Sequence, residues 1–390
     1  MTAPEARVLD STLRFELCRE SDVPALMEFI GTEWRAGHIL SRDEDLLRWQ
    51  FAPELLHGRR ASGPTVLLAW LDGTIVGMLG LTGFDLTVLG DRYPAIWLSH
   101  WFAAPAYRRY SVALRLLWAA RDLGIDALVT LGANDVSTRL LTRLGLELIP
   151  SLPRWVGVFD VAGAVELVRA AGREVSLQDA EQLCRRHLVA PPEATALPGG
   201  FGAVGWSPST AAAWNRFWGE RLAPRLVGAT RDDAYLQWRY VAHPRFAYQV
   251  RVARRDTDGA VEGLLVFRAE QVEGLASRVL RVVEFLATPA AEPCLVRSLL
   301  EAAREAGAAG ADFYCSSAHA ARALARAGFR REAADAPVPF PSRLQPLESG
   351  VYPMTTLVRL PGVWRPTLGR LMTEGCVYIT KADGDQDRPN

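Results

Sequence analysis

The same ten-residue motif occurs in both halves of this chain. The first copy, residues 42–51, reads RDEDLLRWQF, and the second copy, residues 231–240, reads RDDAYLQWRY. Each copy places an aspartate, Asp43 or Asp232, at the start of an amphipathic run, where a helix takes its N-cap or first-turn acid. Because a helix must pack against the elements around it, a repeated helix restricts the chain to folds that repeat as well.

Two further pairs of segments repeat in the same order. Residues 96–106, IWLSHWFAAPA, match residues 280–290, LRVVEFLATPA, and both are typical of a strand that stops at a proline. Residues 127–146 and 311–329 both indicate a strand, a short loop and a helix that ends near a glycine. Three matching pairs in one order predict two copies of one fold.

Proline- and glycine-rich segments mark the boundary between the copies. A helical stretch, residues 162–188, is followed by Ala-Pro-Pro at 190–192 and Pro-Gly-Gly at 198–200. A chain of 390 residues also suits two domains better than a single core. We therefore predict a first domain over residues 1–190 and a second over residues 200–390.

Short strands and helices alternate within each copy. An Asp-Gly pair at residues 72–73, between two apolar runs, predicts a β-hairpin. The second half repeats the element order of the first, so the predicted fold class is α/β, with mixed α+β sheets. The elements predicted for the first half are strand 13–18, helix 23–34, a helix from 42, strands 65–71, 75–81 and 96–103, helix 107–123, strand 127–131, a helix from 136 and a closing strand 155–159.

Composition excludes several classes of partner. Lys and Arg number 44, as do Asp and Glu, so the chain has no overall field to hold nucleic acid or an anionic membrane. Its N-terminus is charged and no stretch reaches about 18 uncharged apolar residues, which predicts a cytoplasmic protein with no membrane span. The five cysteines and six histidines are scattered, which predicts reduced thiols and no metal site.

A strand leads directly into an arginine-bearing helix start at residues 105–117, PAYRRYSVALRLL. The first turn of a helix offers free N–H groups and a positive dipole end, which together suit a pyrophosphate. Arg108 and Arg109 can add charge-assisted bonds, and the small Ser111 and Ala113 let phosphates approach the backbone. The alternative is an ordinary surface helix that carries arginines.

These residues resemble the GNAT acetyltransferase superfamily. Its pyrophosphate loop, Gln/Arg-x-x-Gly-x-Gly/Ala, matches Arg108-x-x-Ser111-x-Ala113, and its second CoA segment resembles the run from Asn134 to Leu146. The resemblance covers most of residues 13–160 and, more faintly, 205–335. It implies two tandem GNAT domains, each with a central, mostly antiparallel sheet, a splayed strand and flanking helices. It also implies acyl-CoA as co-substrate, with these ligands: Phe102, Ala103, Arg108, Arg109, Tyr110, Ser111, Val112, Ala113, Asn134 and Ser137.

The sequence departs from the family pattern at three places. Ser111 replaces the middle glycine of the loop, and Leu141 stands where the family often has a general-acid tyrosine. In the second half the loop position, residues 289–293, reads PAAEP, with no arginine and an added acid that would repel a pyrophosphate. We therefore expect a degenerate second domain that serves shape or acceptor binding.

Two residues on the repeated strand are candidate catalytic groups. His100 matches a position where the family carries catalytic acids and bases, and its ordinary pKa suits general-base work; a buried structural histidine is the alternative. Glu284 aligns with His100 in the second half. It could bind the substrate amine across the domain interface, or pair with Arg281 or another arginine.

Tryptophans and the C-terminus give further expectations. Trp49 and Trp238, in the repeated motif, are expected to anchor the core. One of Trp97 and Trp101 could line an acyl pocket. The acidic end, residues 381–390, reads as a frayed tail, or as an Asp-Gly-Asp turn that caps a substrate pocket.

The leading function is an N-acyltransferase that acts on a small amine. Several tandem GNAT proteins of this length acylate nucleotide-linked amino sugars for surface polysaccharides, and their resemblance to this chain implies such an acceptor. The alternatives are a Fem-type aminoacyl transferase, which zero net charge disfavours because it must bind tRNA, and a non-catalytic acyl-CoA-binding protein, which the missing tyrosine keeps open. A homodimer is an open expectation.

Overall fold

Two large mixed β-sheets form the centre of the molecule, as a computed structural model of the chain reveals. Helices cover both sheets, and the chain runs back and forth between them. Among the residues that the structure describes, no helix is both long and apolar enough to cross a membrane. The described residues are 13–56, 61–149, 152–172, 174–191, 200–333, 336, 338–349 and 354–388.

The first sheet has the strand order β1-β2-β3-β4-β5-β17-β6. Strand β9 pairs with residues 86–88 of β3, beyond the part of β3 that pairs with β2. Its neighbours are antiparallel except for β4 and β5, which are parallel. The predicted hairpin is confirmed, since β2 and β3 join at Asp72 and Gly73. These strands are β1 Arg14–Leu17, β2 Val66–Leu71, β3 Thr74–Val88, β4 Asp91–Ala103, β5 Ala127–Leu131, β6 Glu147–Ile149, β9 Val227–Ala229 and β17 Thr356–Arg359.

The second sheet has the order β8-β10-β11-β12-β13-β7-β14, which repeats the first sheet strand for strand. Again one neighbouring pair, β12 and β13, is parallel. Its strands are β7 Arg154–Val158, β8 Phe201–Gly205, β10 Gln249–Arg255, β11 Val261–Gln271, β12 Arg278–Ala287, β13 Ala308–Tyr314 and β14 Arg330–Arg331; a separate hairpin joins β15 Pro341–Leu344 to β16 Leu347–Ser349. The predicted fold class, α/β with two mixed, mostly antiparallel sheets, is confirmed.

Each sheet takes a strand from the other half of the sequence at the equivalent position, and the first sheet also takes β9 from the second half. Strand β17 lies between β5 and β6 of the first sheet, and β7 lies between β13 and β14 of the second. The prediction that a strand at 155–159 closes the first sheet is therefore wrong. The two sheets offer equivalent strand positions, one between β5 and β6 and one between β13 and β14. The local apolar pattern of a strand suits either position and does not decide which one it takes. As functional domains, residues 1–190 and 200–390 remain a prediction.

Capping side chains set the starts of many helices. Asp43 accepts a hydrogen bond from the N–H of Leu46, and Asp232 accepts one from Tyr235, so both copies of the repeated motif open on the expected N-cap. The helices are α1 Val23–Phe29, α2 Glu44–Gln50, α3 Val112–Arg121, α4 Asp135–Arg143, α5 Val161–Ala171, α6 Leu177–Arg186, α7 Pro208–Phe217, α8 Asp233–Leu236, α9 Glu292–Ala306, α10 Ala318–Arg326 and α11 Leu368–Thr373.

The two copies of the repeated motif meet each other. The rings of Trp49 and Trp238 stack with centroids 5.3 Å apart. The indole N–H of Trp49 donates to the carbonyl oxygen of Trp238 at 3.1 Å, and that of Trp238 donates to Trp49 at 3.2 Å. These tryptophans therefore join the two halves in a nearly symmetric contact. Both are half-buried at this contact, whereas the sequence predicted anchors within the core.

Candidate functional site

A cavity opens where β4 and β5 diverge. The parallel pairing of these strands ends at Trp97 and Val129, and beyond that point a space of about 230 Å³ lies between them. Strand β4 contributes residues 98–101 to its wall, and the end of β5 with the two residues after it contributes residues 130–133. The C-terminal residues 385–388 close it, through Asp385, Gln386 and Arg388. The splay thus builds a slot whose walls come from both ends of the sequence.

A β-bulge turns His100 into this cavity. Gly80 pairs with Ser99 and Met78 pairs with Phe102, so two residues of β4 face one residue of β3. His100 has a φ of 50°, in the left-handed region. A non-glycine residue held there costs about 1–3 kcal/mol, and such residues cluster at functional sites. The backbone is therefore shaped around the placement of this side chain.

Aromatic rings and one carboxylate surround His100. Its Nδ1 lies 2.9 Å from the Ser99 hydroxyl, and its Nε2 lies 3.7 Å from an oxygen of Asp385. The Trp34 ring meets the imidazole edge-on at 4.9 Å, and the Phe51 ring does so at 5.6 Å. Among the described residues Nε2 has no hydrogen-bond partner. A proton on Nδ1 would be shared with Ser99 and would leave the Nε2 lone pair free.

Burial keeps His100 uncharged. Removal from water lowers its pKa to about 4, against an upward effect of Asp385 and a further downward effect of Arg388. The imidazole is then neutral at pH 7. His38, whose ring centroid lies 5.8 Å away, is also held neutral by burial, which lowers its pKa to about 3.

Asp385 is an ionised partner inside the same cavity. Burial by itself would raise its pKa, but Arg388 and His100 outweigh this and the net shift is downward. Its carboxylate pairs with Arg388 and accepts a bond from Gln386 Nε2 at 2.9 Å. Sequence reasoning named this aspartate only as part of a turn, yet it stands next to the candidate base.

The C-terminal segment as far as residue 388 is fixed inside the molecule, so a frayed tail over these residues is wrong. Asp383 receives a bond from Arg231 at 2.6 Å, and Asp387 receives one from Arg268 at 2.7 Å. Asp383 and Asp387 therefore each bind a buried arginine from a distant part of the chain. Residues 389–390 lie outside the described residues.

The predicted pyrophosphate loop follows the cavity directly. Residues 105–110 form a 3₁₀ turn, Ser111 has a φ of 56°, and α3 begins at Val112. The first α-helical bond joins the N–H of Arg115 to the carbonyl of Ser111, so the N–H groups of residues 112–114 have no partner within the helix. Ser111 occupies the position where the family has glycine, and its left-handed backbone explains that preference.

The arginines of the loop lie at its surface. Arg108 donates from Nε to the carbonyl oxygen of Ala103 at 3.3 Å, and its guanidinium is 5.8 Å from the centre of the Phe102 ring. Arg109 lies over the ring of Tyr110 at 4.9 Å. Of the predicted ligands between Phe102 and Ala113, Arg108, Arg109 and Ser111 are exposed, whereas the side chains of Ala103 and Val112 are buried.

Asn134 and Ser137 line the cavity from the other side. Asn134 is the N-cap of α4, and its Oδ1 accepts a bond from the N–H of Ser137 at 2.9 Å. Leu141, one turn further on, also lines the cavity and is buried. Its apolar side chain has no proton to give where the family often has tyrosine. Of the two tryptophans considered, Trp101 lines this cavity.

Glu284 lies elsewhere, in the interior of the second half, where its partners come from the same half. It is completely buried and accepts bonds from Arg231 Nε at 3.1 Å and from the Tyr240 hydroxyl at 2.6 Å. Arg231 also binds Asp383, so it holds two carboxylates. The arginine partner considered from the sequence is thus present, although it is not Arg281. Glu284 is not among the residues that line the cavity.

A smaller, charged pocket of about 50 Å³ adjoins the cavity and shares Arg343, Gln386 and Arg388 with it. Lys381 lines it with its amine 5.5 Å from the ring of Tyr314, and burial lowers the pKa of that amine to about 8. The sequence indicates Lys381 only as part of the acidic end and does not predict this pocket, because its lining comes from separate elements of the second half. The remaining charged groups of its lining are Arg268, Glu270, Arg281 and Asp387.

A segment within the first half of the sequence matches a protein family. Residues 23–146 match the acetyltransferase (GNAT) family. This range contains the strained histidine, the loop and the Asn134 cap. Among curated proteins, none matches the chain.

Solved structures of other proteins share the fold. A GCN5-related N-acetyltransferase of Anabaena variabilis is 10% identical over 90% of this chain and 74% of its own, with a TM-score of 0.54. One from Kribbella flavida is 17% identical over 90% and 72%, with a TM-score of 0.50. The N-myristoyltransferase of Saccharomyces cerevisiae, with bound myristoyl-CoA, is 8% identical over 90% and 83%, with a TM-score of 0.53. At these identities the likeness establishes the fold alone.

Proposed function

We propose, for a chain whose residues 23–146 form a GNAT acetyltransferase domain, that it transfers an acyl group from acyl-CoA to the amine of a small polar acceptor. The match to this family supports an acyl-CoA-dependent N-acyltransferase as the class of enzyme. The assignment of residues depends on one observation, the state of His100. Its ring is neutral, its backbone is held on a strained bulge, and among the described residues its Nε2 has no partner at the point where β4 and β5 diverge.

The donor is proposed to bind along β4 and α3. The N–H groups of residues 112–114 and the side chains of Arg108 and Arg109 suit its pyrophosphate, because helix N-termini and guanidinium groups both favour anions. Phe102 and Ala103 pair with β3 through one edge only, so their other edge faces the splay. Backbone donors at such an edge would stabilise the thioester oxygen as it gains charge.

The acceptor amine is proposed to attack the thioester carbon beside His100. A C–N bond forms, the C–S bond breaks, and the nitrogen loses a proton to Nε2 of His100. Asp385, 3.7 Å from that nitrogen, would stabilise the imidazolium. Leu141 has no proton for the departing CoA thiolate, which would take its proton from solvent. Glu284 enters this proposal as an anchor for Arg231 and the C-terminal segment, away from the reacting atoms.

The acceptor is proposed to be a nucleotide-linked amino sugar, bound by the second half. The charged pocket next to the cavity supports this, since Lys381, Arg343 and Arg388 can meet phosphate oxygens. A free amino sugar would lack the group that these cations recognise. A degenerate second GNAT domain, with no CoA of its own, then supplies the acceptor site.

Release of free CoA thiol tests the proposal. The full chain would be given acetyl-CoA with a nucleoside-diphosphate amino sugar, with the same free amino sugar, or with an amino acid. We expect thiol release with the nucleotide-linked acceptor, and its loss in His100→Asn. Acetyl-CoA binding without turnover by any amine would favour the non-catalytic binding protein that Leu141 leaves open.

A further inference from the structure

The second sheet has its own slot, at the position that matches the first. Pairing of β12 with β13 ends at Val282 and Phe313, and a cavity of about 520 Å³ lies beyond that point. This is larger than the cavity beside His100 and within the range of about 300–1,000 Å³ that ligand sites usually have. The fold repeat has therefore produced a second candidate binding site.

Acyl-CoA does not suit this second slot. The helix that follows β12 opens on Glu292, which is 3% exposed. Its carboxylate pairs with Arg326 and lies 3.5 Å from Nε2 of His319. A carboxylate fixed in the first turn of α9 takes the place that a pyrophosphate would need, and it repels one. The occupant must therefore differ from the proposed donor.

The lining of the slot is mainly apolar. Phe217 from α7, Phe285 and Leu286 from β12, and Ala320 from α10 form its floor, and all four are buried. Leu222 and Leu226 extend the wall towards the surface and are half-buried. A surface of this kind favours an aliphatic chain, because removing apolar area from water is the main source of affinity.

Two arginines lie at the border of this apolar surface. Arg221 and Arg225 follow α7, line the slot and are exposed. Within the part of the chain that the structure describes, neither side chain makes a hydrogen bond or an ion pair. The acid in the lining, Glu374, already pairs with Arg370 at 3.4 Å. Two unpaired cations next to an apolar slot are complementary to an anionic head group.

We propose that the second slot binds a single-chain anionic amphiphile, with its aliphatic chain against Phe285 and Leu286 and its head group at Arg221 and Arg225. Both a carboxylate and a phosphate head have the required charge. The site is separate from the proposed acyl transfer, since it shares no residue with the cavity beside His100.

Displacement of a fluorescent polyene fatty acid from the full chain tests this proposal. Saturating acetyl-CoA would be present so that the first slot is occupied, and dodecanoate, dodecyl phosphate and dodecanol would compete. We expect dodecanoate or dodecyl phosphate to displace the probe at least tenfold better than dodecanol. Preference for one of the two anions identifies the head group. Equal competition by dodecanol, or no probe binding, would overturn the proposal.

Variants separate the two parts of the site. Arg221→Gln with Arg225→Gln should weaken dodecanoate at least tenfold and leave dodecanol unchanged. Arg216→Gln, an exposed arginine on α7 that does not line the slot, is the matched control and should change neither. Ala320→Phe should lower the affinity for both dodecanoate and dodecanol, because the larger ring fills the floor of the slot. Far-UV circular dichroism checks that this variant folds. An unchanged dodecanoate affinity in the double variant would contradict the proposal, whether or not the same samples bind acetyl-CoA.

Discussion

The two slots of this molecule come from the same sheet topology but differ in almost every side chain. The first has about 230 Å³, a strained His100 and an arginine-bearing helix start. The second has about 520 Å³, an apolar floor and Glu292 at the helix start. Glu284, which aligns with His100, points into the interior and binds Arg231. The splay of parallel strands thus supplies a place for a ligand, and the residues around it decide which ligand.

Separate substitution of the aligned residues His100 and Glu284 should give the largest difference in kcat. His100→Asn should lower kcat by roughly a hundredfold or more, as loss of a general base does, with little change in acetyl-CoA affinity. Glu284→Gln should leave kcat near wild type under conditions where the protein is folded. Steady-state kinetics of both variants measure this. A strong kcat defect in Glu284→Gln alone would reverse the roles assigned to the two halves.

Removal of the arginine that Glu284 binds should affect stability. Arg231→Met leaves Glu284 and Asp383 buried without their partner, and breaking such a buried pair costs about 3–5 kcal/mol. Urea unfolding monitored by circular dichroism gives the value. Arg48→Ala, which removes exposed pairs with Glu20 and Glu44, is the control and should cost at most about 1 kcal/mol. Equal effects of the two changes would contradict the anchoring role of Arg231.

The protonation of His100 gives a smaller, pH-dependent signal. Burial lowers its pKa from 6.5 to about 4, so protonation favours unfolding; the stability that this residue contributes is full above about pH 6.5 and is lost as the pH falls through about 4. NMR titration of the histidine ring protons would measure the value. Asp385→Asn should lower the pKa of His100 further, because the carboxylate favours the charged ring. A His100 pKa near 6.5 would mean that the ring is open to water.

The loop backbones should respond in opposite ways to glycine. Ser111→Gly should stabilise the protein by about 0.5–1 kcal/mol, because glycine adopts a positive φ without a steric penalty. Ala291→Gly, at the start of α9 in the second half, should destabilise it, because Ala291 has a φ of −87° and is buried. Thermal unfolding of both variants tests this. Destabilisation by Ser111→Gly would contradict the left-handed loop.

The repeat in the sequence predicted most of the fold but not its exchanged strands. The helix caps at Asp43 and Asp232 and the hairpin at residues 72–73 depend on local patterns, which a single sequence displays. The helix predicted over residues 107–123 begins only at Val112, because residues 105–110 form a 3₁₀ turn that ends at the left-handed Ser111. The position of β7 depends on which of two equivalent gaps it fills. That choice is made by long-range packing and leaves no local signal.

The candidate site was partly predictable for the same reason. His100 and residues 108–113 lie on one strand, loop and helix, so a motif could point to them. Asp385, Arg388 and Lys381 reach the cavity and its charged neighbour from the far end of the chain. The alternating aspartates of the C-terminus were the available sign, since each needs a partner when buried.

Calorimetric titration with acetyl-CoA tests most directly the claim that the first slot, and not the second, holds the acyl donor. We expect one site per chain, and at least tenfold weaker binding in Arg108→Ala with Arg109→Ala, since a hydrogen bond to a charged group contributes about 1.5–3 kcal/mol. The matched pair at the second slot, Arg221→Gln with Arg225→Gln, should bind like the wild type. Loss of binding in the second pair, with normal binding in the first, would contradict the account.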